Sequence, residues 1–353
     1  MKKTFLFFIG LMLIYQVKSC DACGGSLGNS YFGLLPQMST SFIGMNYSYS
    51  RFSAQMRFNS EVLEDEISDD SFSRFEVNAR FKLYDRLQAS IIIPYSFNQM
   101  DGSHQKIKDH GIGDPSVLLF YRFFDKSSDD KLSINQTLLI GVGVKLPFGQ
   151  FDKREEEEVI NRNFQLGSGS IDYIMTVNHT LMFENMGLNA DLSLKLNSQN
   201  ADDYTFGNQF TVSSNIFWVK KFTKLILVPI VGAYFEYGGI HKEGLVEQSN
   251  TGGEVFMSNT GLQFMWNKLT LNASYKIPIY QRFNSDNIAI IKSENRLSMS
   301  VNYNFKPPFR YYFLMLALDK KQFFNLMVRE LVPSLLIQKR NFLLLFQTRW
   351  SHD

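Results

Sequence analysis

Two cysteines near the start of the chain form a pair that is capable of redox, metal or lipid chemistry. Cys20 and Cys23 are spaced as Cys-x-x-Cys, and the sequence contains no other cysteine. No histidine follows Cys23, so the spacing does not support covalent haem attachment. Three alternatives remain open: lipidation of Cys20, for which Val17 and Ser19 fit a lipobox; a disulfide, which an oxidising periplasm permits; or binding of a soft metal such as Cu(I) through both thiolates. The sequence displays no further ligands for a metal, and we predict no resident metal or cofactor.

A second set of chemically capable side chains is charged or amide-bearing and alternates with apolar residues. Its members are Arg74, Glu76, Arg80, Lys82, Asp191, Lys195, Asn272, Lys276 and Arg296. Successive side chains of a strand point to opposite faces, so each of these residues falls on the polar face of its segment. Mixed charges on an inner face would form either a selective pore or a set of salt bridges that fills the interior.

The histidines do not form a recognisable active site. His104 and His110 share one predicted loop but have no spacing typical of metal ligands. His179 falls on an apolar face between Val177 and Leu181, with no matching serine register nearby. We therefore expect solvated or interfacial histidines, and we predict that the protein is not an enzyme.

The elements that carry these residues are long segments of two-residue alternation. In the segment from Leu188 to Asn197, for example, apolar and polar residues follow each other one by one. Most segments have about ten residues or more, and a tilted strand needs about 9–11 residues to cross a bilayer. We predict twelve strands, near 41–53, 72–84, 87–98, 115–124, 132–146, 170–183, 187–198, 208–220, 225–238, 254–266, 269–280 and 295–305.

The breaks between these strands are alternately short and long. Two-residue breaks such as Asp85-Arg86 and Asn267-Lys268 alternate with long ones such as Ala54–Ser71 and Pro147–Gly169. Outer-membrane barrels have short periplasmic turns and long outer loops. The sequence therefore predicts an all-β fold, a closed antiparallel transmembrane β-barrel of about 12 strands over 40–305, in the cell outer membrane with a periplasmic N-terminus. The alternative fold is a secreted β-sandwich with long strands.

The two ends of the chain have a different composition from the predicted barrel. Residues 1–19 have a basic start and an apolar stretch, which predicts a secretory signal peptide. Residues 20–39 would form a periplasmic N-terminal segment or a plug that enters the lumen. Residues 306–353 follow Phe305 as a C-terminal extension of clustered apolar and basic residues, either an interfacial helix or an extension of the reading frame beyond a natural terminus.

Several short motifs are more specific than the alternation. They are His110–Pro115 (HGIGDP), Gly143–Gly149 (GVKLPFG), Asn163–Asp172 (NFQLGSGSID), Tyr275–Ile279 (YKIPI) and the start CDACGG. Together they resemble the Bacteroidetes outer-membrane "transporter" proteins of the MetA-pathway of phenol degradation family. The resemblance covers roughly 20–305 and implies an outer-membrane β-barrel with a transport role and no well-defined substrate.

These observations predict a passive outer-membrane channel or transporter for small molecules, and the resemblance adds hydrophobic or aromatic ones. The alternative is a structural barrel whose periplasmic Cys-x-x-Cys engages a metal or redox partner. Outer-membrane lipid is the expected partner. A net charge of +2 over 353 residues gives no electrostatic footprint for nucleic acid. The pattern indicates neither the cargo nor the oligomeric state.

Overall fold

The structure is a computed structural model, and it describes the part of the chain predicted to form the barrel. Its described residues are 41–56, 65–103, 105–126, 134–155, 158–285 and 289–305. The predicted signal peptide, Cys20 and Cys23, the 20–39 segment, His104 and the 306–353 extension lie outside the described residues.

The described residues form twelve long strands, which we number in chain order. They are β1 Ser41–Met56, β2 Glu66–Lys82, β3 Leu87–Gly102, β4 Ser116–Lys126, β5 Asn135–Lys145, β6 Asp172–Phe183, β7 Met186–Leu196, β8 Gln209–Trp218, β9 Leu225–Gly238, β10 Gly253–Trp266, β11 Leu269–Phe283 and β12 Arg296–Phe305. Each of the twelve predicted strands has one counterpart among them.

The twelve strands form one closed antiparallel ring. Each strand pairs with its neighbours in sequence, and β12 returns to pair with β1 from Ser41↔Phe305 to Tyr49↔Leu297. On the far side, β8 pairs with β9 from Gln209↔Gly238 to Phe217↔Ile230. This confirms the predicted barrel and excludes the sandwich. We call the end with the hairpins β2–β3, β6–β7 and β10–β11 the short-turn end, and the opposite end the long-loop end.

The barrel has an apolar outside and a largely polar inside. Along β3 the exposed side chains include Ile91, Ile93, Tyr95 and Phe97, and the residues between them are buried. The same outward belt continues around the ring with Val77, Val117, Leu192, Ile216, Val231, Leu271, Ile277, Met299 and Val301. A continuous apolar belt of this kind is unfavourable in water and typical of a surface that faces lipid.

Several strands extend beyond the segments predicted for them. Strand β2 begins at Glu66 rather than at 72, and β3 ends at Gly102 rather than at 98. Asp70 falls in the long break Ala54–Ser71 predicted between the first two strands, yet its side chain is fully buried in β2. The outward apolar residues become sparse beyond the belt, whereas the backbone pairing continues. Sequence periodicity therefore made both strands too short at the long-loop end.

Smaller elements decorate the long-loop end. Strand Lys106–Ile112 pairs with β3, strand Ala289–Ser293 pairs with β1, and a 3-10 helix spans Arg162–Phe164. The short strands Tyr204–Thr205, Lys242–Glu243 and Val246–Glu247 form a separate small sheet. Within the described ranges, no helix is long and apolar enough to cross a membrane.

We predict that a lysine on the outer belt destabilises the barrel according to its depth. Ile93 lies near mid-strand and Ile67 near the long-loop end, and both are exposed on the outer face. In lipid vesicles Ile93→Lys should lower the free energy of unfolding by about 2–4 kcal/mol, and Ile67→Lys by about 0–1 kcal/mol. Urea titration of both variants measures this difference. Equal effects would contradict the assignment of the belt to lipid.

Candidate functional site

The nine residues predicted to share a polar face all occupy inward positions of the barrel, although they do not converge on one point. Four of them are about 95% buried: Glu76, Arg80, Asn272 and Lys276. Lys82 lies at the short-turn end, where its Nζ is 3.0 Å from the exposed carboxylate of Asp85. The others are distributed among separate polar groups on different parts of the wall.

One polar group joins β9, β11 and β12. The guanidinium of Arg296 donates to both carboxylate oxygens of Glu236, at 2.7 Å from Nη1 and 3.3 Å from Nη2. The hydroxyl of Tyr234 donates to Glu236 Oε2 at 2.8 Å, and Lys276 Nζ lies 4.3 Å from the Tyr234 ring centroid. Bidentate pairing and a cation–π contact are the arrangements expected for charges removed from water.

Arg80 lies among aromatic rings on another part of the wall. Its guanidinium carbon lies 4.3 Å from the centroid of Phe120 and 5.6 Å from that of Phe42. Phe120 lies against Gly141, where an added Cβ would come within 2.7 Å of the ring. Gly141 therefore provides the space in which the aromatic ring lies beneath the arginine.

Other predicted residues contact amide, hydroxyl or charged neighbours. Glu76 accepts from Asn46 at 3.0 Å, and its other oxygen lies 3.9 Å from Arg74. Asp191 accepts from Asn178 and Ser213, and Asn272 donates to Ser300 at 2.7 Å. Lys195 points inward near the long-loop end of β7. Charges and amides together make the inner wall polar along most of its length.

Sequence reasoning missed Glu236 and Tyr234, the partners of Arg296 and Lys276. The available signal was weak. Tyr234 and Glu236 alternate with Phe235 and Tyr237 on β9, but Tyr234 is itself aromatic, so the alternation does not show which face of the strand is polar. Alternation assigns a residue to a face, and it carries no information about the residue on another strand that it will meet.

Three of the sequence motifs meet at a buried ion cluster, which we call the neck. Lys145, at the end of β5, places its Nζ 2.7 Å from Asp114 Oδ2 and 2.6 Å from Asp172 Oδ2. Ser168 donates its backbone N–H to Asp114 at 2.8 Å and its hydroxyl contacts Lys145. Gly149 donates its N–H to the other oxygen of Asp114 at 2.9 Å. The motifs HGIGDP, GVKLPFG and NFQLGSGSID thus supply one shared structure.

The neck brings together the two ends of the loop that connects β5 and β6. Gly149 and Gly167 cross so closely that a Cβ added to Gly149 would lie 2.8 Å from the Gly167 Cα. Only glycine fits such a crossing without moving the backbone. The loop therefore leaves and re-enters the wall at one fixed point.

From the neck the loop turns inward and packs against β2 and β3 at the long-loop end. Phe164 is fully buried and stacks on Phe72 of β2, with ring centroids 5.1 Å apart. Its carbonyl accepts from Asn98 Nδ2 of β3 at 2.9 Å. Asn98 is adjacent to Phe97, the last large apolar residue of the outer belt on β3, so the loop packs near that edge of the belt.

A second contact network at the long-loop end centres on His241. Its Nδ1 lies 2.9 Å from the Tyr204 hydroxyl, and its backbone N–H donates to Thr251 Oγ1 at 3.0 Å. Phe206 packs edge-on against the imidazole at 5.0 Å. Burial, with a smaller contribution from the positive charge of Lys195, lowers the His241 pKa from 6.5 to about 4.

The other described histidines lie on the outer surface. His110 is on the short strand Lys106–Ile112, with Nδ1 3.1 Å from the Tyr95 hydroxyl. His179 occupies the outward register of β6, opposite Leu138 and Ala190. Among the described residues, no group of three or more His, Cys, Asp and Glu side chains is placed to hold a metal ion.

Comparisons with known proteins show likeness in fold. The sequence matches no protein-family model and no curated protein. The structure is similar to an outer membrane channel from Pseudomonas putida F1, with a TM-score of 0.55 and 13% identity, over 79% of this chain and 100% of that one. The beta domain of the Bordetella autotransporter BrkA gives a TM-score of 0.41 at 10% identity, covering 76% and 100%. A Pseudomonas aeruginosa FadL homologue gives 0.40 at 10%, covering 75% and 90%. The first of these shows that the chain has the fold of an outer-membrane barrel.

We predict that the neck depends on its central cation. Lys145→Met leaves the nearly fully buried carboxylates of Asp114 and Asp172 without a counter-charge, which should cost about 3–5 kcal/mol of unfolding free energy. The control is Lys82→Met, because Lys82 pairs with an exposed carboxylate and its loss should scarcely move the urea midpoint. Equal midpoints for the two variants would contradict a structural role for the neck.

We predict that acid loosens the network around His241. Because its pKa is lowered in the folded state, an opened state binds more protons than the folded one between pH 6.5 and 4. The contribution to stability is therefore complete above pH 6.5 and is lost as the pH falls toward 4, by on the order of 3 kcal/mol. Hydrogen exchange at 239–252, corrected for intrinsic rates, should accelerate over this range. A His241→Phe variant should lack that acceleration, and the same acceleration in the variant would refute the assignment.

Proposed function

We propose that this protein is a passive outer-membrane channel for small molecules. The observation that carries the proposal is the combination of a closed ring, an apolar outer belt and an inner wall lined by charged and amide side chains. Such a wall offers hydrogen-bonding partners to water and small solutes along an axis shielded from lipid. The nine inward residues from Arg74 to Arg296 are the proposed lining. The motif resemblance adds small apolar or aromatic molecules as cargo.

The proposed orientation places the N-terminus and the short-turn end in the periplasm and the long-loop end outside the cell. It rests on the general asymmetry of outer-membrane barrels, in which the longer loops face outward. In this orientation Cys20 and Cys23 follow a cleaved signal peptide in the periplasm, as a lipidation site, a disulfide or a thiolate pair. Residues 20–39, which precede β1 in the sequence, are the proposed plug.

The second candidate is a closed structural barrel whose Cys-x-x-Cys engages a metal or redox partner. The observation that favours it is the dense packing of the interior, where residues such as Asn189, Asn215 and Gln263 are almost completely buried. A barrel packed in this way conducts nothing unless a segment moves.

We predict that purified full-length protein in planar bilayers produces discrete single-channel currents, and that deletion of residues 24–39 raises their conductance. Removing a plug widens the narrowest part of a barrel of this size, in which the lumen is small. A Cys20→Ser/Cys23→Ser variant of otherwise full length is the control for changes near the N-terminus. Unchanged conductance after the deletion would exclude the plug. Absence of currents from both proteins would favour the structural barrel.

A further inference from the structure

The 3-10 helix Arg162–Phe164 connects the barrel wall to a neighbouring long loop. Phe164 contacts β2 and β3, whereas Arg162 reaches the loop between β7 and β8. In the ring of twelve, β3 and β7 are four positions apart and β2 and β8 are six positions apart. The helix therefore lies at the long-loop end between the inward faces of β2 and β3 and the loop that follows β7.

The first attachment is apolar. Phe164 is fully buried in a cluster formed by the inward faces of β1, β2 and β3 and by the two short strands that pair with them. Its buried members are Phe52, Ala54, Met56, Phe72, Met100, Ile107, Ile160, Phe164, Ala289 and Ile291. Ile160 belongs to the same loop, so two loop side chains fill this cluster and the remaining members come from the wall.

The second attachment is polar and lies nearer to solvent. Arg162 Nη1 is 2.9 Å from Asp202 Oδ2, and the guanidinium carbon lies 5.2 Å from the Tyr204 ring centroid. The side chains of Arg162 and Asp202 are 14% and 33% exposed, so water can hydrate both charges when the pair separates. Tyr204 is fixed in turn by His241, which ties this side to the loop that follows β9.

The neck permits movement of the turn without loss of the wall. Both ends of the loop are fastened where β4, β5 and β6 meet, through Asp114, Lys145 and Asp172. The turn itself is held by Phe164 in its cluster and by Arg162 on Asp202, and the same loop also places Lys153 Nζ 2.9 Å from Asp109. Residues 162–164 take no part in the strand pairings of the ring, so the ring does not depend on these two contacts.

We propose that the turn Arg162–Phe164 is the gate of the channel at the long-loop end, closed by the Phe164 cluster on one side and by the Arg162–Asp202 pair on the other. This inference rests on the proposed channel function and adds its regulation. Opening requires Phe164 to leave its cluster and Arg162 to exchange Asp202 for water.

The polar attachment is tested by charge reversal and rescue. Single-channel recording compares the wild type, Arg162→Glu, Asp202→Arg and the double variant that carries both changes. Each single reversal replaces attraction by repulsion and should raise the open fraction about threefold to tenfold. The double variant restores an opposite-charge pair and should return the open fraction to the wild-type value, which loss of folding would not do.

The apolar attachment is tested with a matched phenylalanine in the same loop. Phe164→Ala should raise the open fraction at least as much as the charge reversals, whereas Phe148→Ala, at a site that is 72% exposed, should leave it unchanged. If the wild type conducts and neither the charge reversals nor Phe164→Ala alters the open fraction, the gate is wrong while the channel stands. If no variant conducts, both proposals fail. A silent wild type with conducting gate variants would support both.

Discussion

The requirement that every backbone N–H and C=O in hydrocarbon has a partner shapes this protein most strongly. An unpaired group costs several kcal/mol in a bilayer, so a sheet that crosses it cannot keep an open edge. The pairing of β1 with β12 removes the last edge. Closure then fixes which alternate residues of every strand point outward, because one face meets lipid and the other meets the lumen. The apolar belt and the polar interior both follow from it.

Closure also removes charged side chains of the interior from water, and these side chains pair with one another or with aromatic rings. Charges taken out of water are unfavourable unless they have partners. The carboxylate of Glu236 therefore accepts two hydrogen bonds from Arg296 and one from Tyr234, and Arg80 lies on the ring of Phe120. At the long-loop end the same rule produces the neck, in which one lysine serves two carboxylates.

The sequence alone predicted the parts of this structure that depend on local periodicity. Alternation gave the closed ring of twelve strands and separated outward Ile93 from inward Ser96. It could not place Glu66 and Asp70 in β2, because the outward residues Asp69 and Ser71 are polar there while the backbone pairing continues.

Contacts between residues far apart in the sequence could not be predicted from local alternation. The motifs that contain Asp114, Lys145 and Asp172 were recognised separately, and only the topology of the sheet brings them together. The burial of Phe164 likewise depends on a wall several strands away, which no local pattern in its loop encodes.

The most direct test of the inside-out barrel is a spin-label scan along β3 in lipid bilayers. Labels would be placed one at a time at positions 90–98, after replacement of Cys20 and Cys23 by serine. If the outward side chains of β3 face lipid, collision rates with lipid-soluble oxygen have a period of two, high at 91, 93, 95 and 97 and low at the positions between them. Accessibility to oxygen without this alternation, or alternation in the opposite phase, would show that these side chains do not face lipid.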